Sequence, residues 1–300
     1  MKQRILLAVA LCAAVTLSWA GETEHYVNGV EGIKAATVPP PGIYFRSYEV
    51  FYHADTLKDK NGNDVPFNFH ANVIASAERG IWVTDRLKEV IGCDFGMYFI
   101  VPVTHAHEEI KTFGIEDTRT RVGDLEFSPA LFSWHKKYFD LSLAYDIFLP
   151  TGDRDNSQPA TMLIGREYWT HMLTFGGTGY LDKEKTWSVS ALSRYEVHSQ
   201  QKGTYVKPGQ DFHFEWGVGK SVGKSGWEVG LAGYCQWQTT NDRGKGATDK
   251  ARDRVFAAGP EVNYFIKPIG LCAALRSEIE FGAKDRPQGT MTTLTFTKRF

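Results

Sequence analysis

The chain has 300 residues, of which 34 are basic and 35 acidic; 42% are hydrophobic and 13% aromatic, and the mean hydropathy is −0.31. A charge balance this even provides no basic surface for a phosphate backbone, and no nucleic-acid partner is expected. Beyond the N-terminal leader no stretch is long and apolar enough to form a membrane helix, which excludes a helical bundle in a bilayer but says nothing against strands.

The leader comes first. Lys2 and Arg4 supply a positive start, residues 5–17 an apolar run, and Ser18-Trp19-Ala20 a small-x-small cleavage site. Residues 1–20 therefore read as a signal peptide cut after Ala20, and the run is shorter than the roughly 20 residues needed to cross a bilayer. Cys12 raises a lipoprotein alternative, but Leu11 stands before it where a small residue is expected. Losing Lys2 and Arg4 leaves 35 acidic residues against two fewer than 34 basic ones, a mature net charge of about −3. Residues 21–42 form a polar, then Pro-rich lead-in; Pro39-Pro40-Pro41 cannot feed a sheet ladder and favours an extended segment.

Residues 43–300 carry a period-two pattern throughout, as in Phe212-His213-Phe214-Glu215-Trp216-Gly217-Val218 and Trp187-Ser188-Val189-Ser190-Ala191. Each such segment has one greasy and one wet face. About twelve strands are predicted, over 43–53, 67–78, 94–104, 123–134, 139–149, 167–178, 186–198, 211–220, 227–238, 255–265, 270–281 and 290–300. Long connections (54–66, 105–122, 150–166, 199–210, 239–254 and the shorter 282–289) alternate with short ones (135–138, 179–185, 221–226, 266–269). Residues 79–93 break this rule, being long on the short side. Aromatic residues near segment ends (Trp134, Tyr138, Phe139, Trp169, Tyr180, Trp187, Trp227, Trp237) fit interfacial girdles. The fold class expected is all-β: an up-and-down transmembrane antiparallel β-barrel in the outer membrane, with lipid outside and both termini periplasmic. The length of the 21–42 lead-in and its position before the first strand suggest a plug folded into the barrel's periplasmic mouth. A secreted β-sandwich is the alternative fold. It requires neither strands this long nor loops this asymmetric.

Several stretches resemble the outer-membrane β-barrel family named for the meta-cleavage pathway of phenol degradation. They are residues 31–44 (Glu31-Gly32-Ile33-Lys34-Ala35-Ala36-Thr37-Val38-Pro39-Pro40-Pro41-Gly42-Ile43-Tyr44), Ile81-Trp82-Val83-Thr84-Asp85, Leu149-Pro150-Thr151-Gly152, Gly165-Arg166-Glu167-Tyr168-Trp169, Gly259-Pro260-Glu261-Val262 and Arg286-Pro287-Gln288-Gly289. The resemblance implies an outer-membrane channel or transporter linked with aromatic-compound catabolism, and it carries over no catalytic residue. The chain's end is similar to a barrel assembly signal: Phe300 closes it, with Phe296 and Leu294 on the face of Thr292, and Lys298 departs from the usual apolar residue. The barrel-assembly machinery, outer-membrane lipid and a small-molecule solute are the partners expected.

The register sets out candidates for the lumen: Asn68, His70, Asn72 and Glu78; Asp124, Glu126 and Asp146; Arg194, Glu196 and His198; Asp211, His213 and Glu215; Glu228, Gln236 and Gln238; Arg276, Glu278 and Glu280. Charges facing lipid are costly, so these should look inward, either pairing across strands to fill a narrow barrel or lining a solute path. Their acidic majority disfavours an anion-selective pore. Passive uptake of small hydrophobic or aromatic molecules is the leading function; a non-transporting adhesive barrel and a barrel hydrolase are the alternatives.

Other motifs carry less. Gly217-Val218-Gly219-Lys220-Ser221 imitates the end of a phosphate loop, but Phe214 stands where the first glycine belongs. His105 and His107 with Glu108 and Glu109 offer donors a transition metal accepts, yet spacing places no further ligand, so a solvated loop suffices. The oxygen-rich runs 59–64 and 153–156 lack the distal Glu of a calcium loop. His198-Ser199 point to opposite faces of a strand, and His171 and Ser193 have no third partner, so no hydrolase triad is assembled. Outside the leader, Cys93, Cys235 and Cys272 are an odd set at wide spacing, with no disulfide framework. No enzyme activity, cofactor or resident metal is expected.

Overall fold

The computed structural model describes residues 23–152, 164–247 and 251–300. The leader and the 153–156 run lie outside the described residues. Thirteen antiparallel segments form one sheet: β1 (Gly42–Leu57), β2 (Phe69–Thr84), β3 (Asp94–Ile110), β4 (Ile115–Val122), β5 (Leu125–His135), β6 (Phe139–Leu149), β7 (Thr170–Tyr180), β8 (Trp187–His198), β9 (Asp211–Ser221), β10 (Trp227–Gln238), β11 (Arg254–Ile266), β12 (Leu271–Lys284) and β13 (Pro287–Arg299). β1 pairs with both β2 and β13, and β2 with β3, so the sheet closes on itself. β4 and β5 pair with successive halves of β3 and act as one stave, giving a twelve-stave barrel. The all-β barrel expected from the alternation is the fold found.

Three connections differ from expectation. Residues 105–122 are not a loop: β3 runs on to Ile110 and turns back into β4 through one 3-10 turn, Lys111–Phe113, ended by Gly114 at φ 66°. That left-handed backbone costs glycine nothing, and Thr118 and Thr120, good strand formers, sit opposite His107 and His105. Polarity had disguised the hairpin, because its outer face meets water above the membrane. Likewise β12 and β13 leave only residues 285–286 between them. The awkward 79–93 joint shortens because β2 extends to Thr84, leaving a turn with one turn of helix at Lys88–Ile91.

The outer wall is apolar between two levels of aromatic residues. Tyr138, Phe139, Trp169, Trp187 and Trp227 are exposed, as a girdle requires. Tyr180 is a correction: it points inward, where its hydroxyl donates to Asp140 at 2.5 Å. No helix among the described residues is long and apolar enough to cross a membrane.

Candidate functional site

The interior is built around residues 23–41. The segment threads the barrel from the loop end, where Thr23 donates to Asp211 at 2.8 Å, to the turn end, where Lys34 pairs with Glu228 at 2.6 Å and Thr37 donates to Asp140 at 3.1 Å. It therefore spans the whole lumen and not just the mouth. Its backbone N–H groups find acceptors on the wall. Glu196 accepts from His25 and Tyr26 at 2.8 and 2.9 Å, Glu215 from Val30 and Glu31 at 2.9 Å each, and Glu261 from Ile33 at 2.9 Å. An extended segment buried without sheet partners must satisfy its amides this way, which is one physical reason for so acidic an inner face.

The glycines of the phosphate-loop look-alike have a packing role. A Cβ at Gly217 would stand 2.5 Å from the carbonyl of Gly32, and one at Gly219 would stand 2.4 Å from Ile33. β9 is bare there because the threaded backbone lies against it. Lys220 instead reaches Thr186 at 2.7 Å and lies over Trp187, as an interfacial lysine does.

Three polar clusters fix the segment. Near the loop end, His25 Nε2 lies 2.7 Å from Asp124 and its Nδ1 2.6 Å from Thr170, which also meets His198 at 2.7 Å. His198 lies 3.0 Å from Asp211, and His213 bridges Asn28 at 2.9 Å and Glu196 at 3.2 Å. Beside this, Arg286 links Glu24 at 2.7 Å with Asp253 and Gln236. At mid-height Glu31 receives Arg46 at 2.9 and 3.0 Å and Tyr48 at 2.8 Å; Arg79 lies 3.6 Å over Tyr98, whose hydroxyl donates to Asp146 at 2.5 Å and Glu126 at 3.2 Å. Arg194 pairs with Glu215 at 2.6 Å beneath the Tyr26 ring, and Arg276 donates to the Gly29 carbonyl at 3.1 Å. Glu278 is fully buried beside Gly29, Glu280 accepts from Tyr234 at 2.7 Å, and Gln238 donates to Asp242 at 2.8 Å.

Burial depresses the His25 imidazole below its ordinary value, and the nearby Arg166 charge adds to this against the pull of Asp124. For Glu31, burial alone would raise the carboxyl, but Arg46 and Arg79 hold it below the usual range; Arg286 and Arg166 do the same for Glu24.

Four expected lumen residues are on the other face. Phe69, Ala71, Val73, Ala75 and Ala77 of β2 line the interior, so Asn68, His70, Asn72 and Glu78 point outward. The reason is twofold. The upper part of β2 rises above the apolar band, so its outside is wet, while the lumen it faces is greasy. Glu78 is the exception within the band. It shares Ser47 and Ser76 with Glu49, at 2.9–3.1 Å, so two carboxylates face lipid together.

The segment does not fill the barrel. Its polar groups bond mainly to β6–β12, with Glu31 reaching Arg46 and Tyr48 of β1, and its apolar residues Val27, Val30 and Val38 border a cavity of about 850 Å³. Opposite stand Val50, Val73, Ala75, Ala77, Ile81 and Ile100 from β1–β3. Sequence reasoning missed this slot and the inward Arg46, Arg79, Glu261 and Arg286. The signal was present in β1, where Tyr44, Arg46, Tyr48, Val50 and Tyr52 alternate with the lipid-facing Ile43, Phe45 and Phe51.

The sequence profile of a family described as a MetA-pathway of phenol degradation matches residues 54–296. An outer-membrane channel from Pseudomonas putida F1 has a similar structure, with 14% identity, 92% of this chain and 100% of that chain covered, and a TM-score of 0.75. The translocator domain of the autotransporter NalP from Neisseria meningitidis aligns at 8% identity over 99% of this chain and 98% of its own, with a TM-score of 0.48. No curated protein matches the sequence.

Proposed function

Because the chain belongs to the family of the MetA-pathway of phenol degradation, and because its barrel encloses a slot with one apolar wall, we propose that it is an outer-membrane channel for passive uptake of small hydrophobic or aromatic molecules. The slot carries this reading. A polar solute would leave Val50, Val73, Ala75, Ala77 and Ile100 facing its hydrogen-bonding groups unsatisfied, whereas an aromatic ring removes that surface from water at about 25 cal/mol per Å². On the opposite wall Glu196, Glu215 and Glu261 are already engaged by the threaded segment's amides. In this reading the loop end is extracellular, the leader is cleaved after Ala20, and Phe300, Phe296 and Leu294 address the assembly machinery. The last two side chains lie on the outer face of β13, opposite the buried Thr293 and Thr295.

The test is uptake of a radiolabelled monoaromatic by cells carrying the wild-type barrel, no barrel, or Ala75→Glu and Ala77→Glu. Entry should fall in the last two, because each substitution puts a carboxylate in the slot. Equal entry in all four strains would refute the substrate class. Single-channel recording separates this reading from a non-transporting adhesive barrel, which would stay closed.

A further inference from the structure

At the loop end, on the water-facing outer side of β1 and β2, four polar side chains form a closed ring. His53 Nδ1 lies 2.9 Å from Asn72 Oδ1, Asn72 Nδ2 lies 2.7 Å from His70 Nε2, His70 Nδ1 lies 2.7 Å from Asp55 Oδ1, and Asp55 Oδ2 lies 3.1 Å from His53 Nε2. Each of the four contacts needs a donor. Asn72 contributes one donor to the ring, each neutral imidazole contributes one, and the Asp55 carboxylate contributes none. The ring is thus one donor short whichever tautomers and amide orientation are chosen: one imidazole lone pair must face an oxygen of Asp55 or of Asn72. A metal ion between that lone pair and the carboxylate would make up the deficit.

We propose that this ring is a binding site for a borderline divalent transition ion such as Cu²⁺, Ni²⁺ or Zn²⁺, held by His53, His70 and Asp55. Two imidazoles and a carboxylate are a donor set these ions favour, and their ligand atoms lie within 4.8 Å of one another. Asn72 Oδ1 can accept the remaining N–H of His53, which is how metal-bound histidines are usually oriented, while the Asn72 amide group must turn away from His70 Nε2 when His70 binds through Nδ1. His107 on β3 stands next to them, its ring 6.2 Å from that of His70, with Nδ1 engaged by Thr118 at 2.7 Å, so Nε2 is the nitrogen offered as a fourth ligand. The site is open: His53 and Asp55 side chains are 52% and 65% exposed. On the inner side of the same strands Ala54, Phe69 and Ala71 pack together, so a bound ion would tie β1 to β2 at the lip of the lumen. The hard ions Ca²⁺ and Mg²⁺, which take oxygen ligands, are not expected there.

The experiment titrates Cu²⁺ into the full barrel in detergent, without a histidine tag, by calorimetry in buffers of different ionisation enthalpy and by electron paramagnetic resonance. The expected result is one saturable equivalent with nitrogen hyperfine couplings from two imidazoles. Outer-shell changes alone cost about 10–100-fold, so losing a ligand in His53→Ala, His70→Ala or the isosteric Asp55→Asn should weaken binding at least about tenfold. Gel migration before and after heating verifies that each variant is folded. Absence of saturation below about 1 mM would overturn the proposal. So would binding that survives all three variants but is lost in His198→Gln, which would assign the ion to the buried Glu196, His198 and Asp211 group.

Discussion

Gly32 and Gly217 meet backbone to backbone, and a methyl group at either has no room: at Gly32 it would stand 1.9 Å from Glu261. Gly217→Ala should therefore push the threaded segment off β9. Overpacking of this kind typically costs about 1–3 kcal/mol, and trypsin cleavage after Lys34 in the folded barrel should become measurable. Uncut Lys34 in that variant would mean that the segment can shift without loosening. His25 adds a pH dependence. Its folded value lies below the ordinary one, so the undocked ring takes a proton first; stabilisation is complete above about pH 6.5 and is lost as pH falls toward the folded value. Glu24 and Glu31, held low, lose their contributions in the same direction further down. Conductance of reconstituted channels should rise between pH 7 and pH 5, and His25→Gln should flatten the upper part of that rise.

At the scale of the strand, alternation located nearly every element, and β6 and β10 begin and end where the pattern places them. It failed in β2, whose apolar face looks into the lumen and whose polar residues stand on the outer face. His70, Asn72 and Glu78 suggest an inward polar face only if the strand is assumed to lie wholly in the membrane around a wet lumen. Neither condition holds, because β1, β2 and β3 are 16, 16 and 17 residues long and rise beyond the apolar band. The Glu49–Glu78 pair in the band is a cost that Ser47 and Ser76 only partly offset. Replacing both carboxylates by leucine should stabilise the barrel by about 1–2 kcal/mol in a urea titration in lipid vesicles, given what acidic groups cost at that depth. A less stable double variant would show that the pair has a partner in the membrane.

For the whole molecule, the threaded segment decides how wide the channel is. Removing residues 22–38 would leave Glu196, Glu215 and Glu261 without the amides they accept from, and would open the lumen across its full width. Conductance of that deletion should rise severalfold and its noise should increase; an unchanged single-channel level would show that the segment does not restrict the path. The three clusters that hold it draw on β1–β3 and β5–β13, so the segment also braces the barrel from within.

The sequence by itself determined the closed all-β barrel, its stave number, the acidic inner face and the unusual Pro-rich lead-in, because a strand's period of two is written locally in every segment. The path of the lead-in, the facing of β2, the slot between segment and wall, and the ring of His53, Asp55, His70 and Asn72 were decided only by tertiary structure. Each depends on which distant strands become neighbours and on what stands across the lumen. A single chain's pattern of greasy and polar residues cannot encode that, since it reports the two faces of a strand but not which of them will find water.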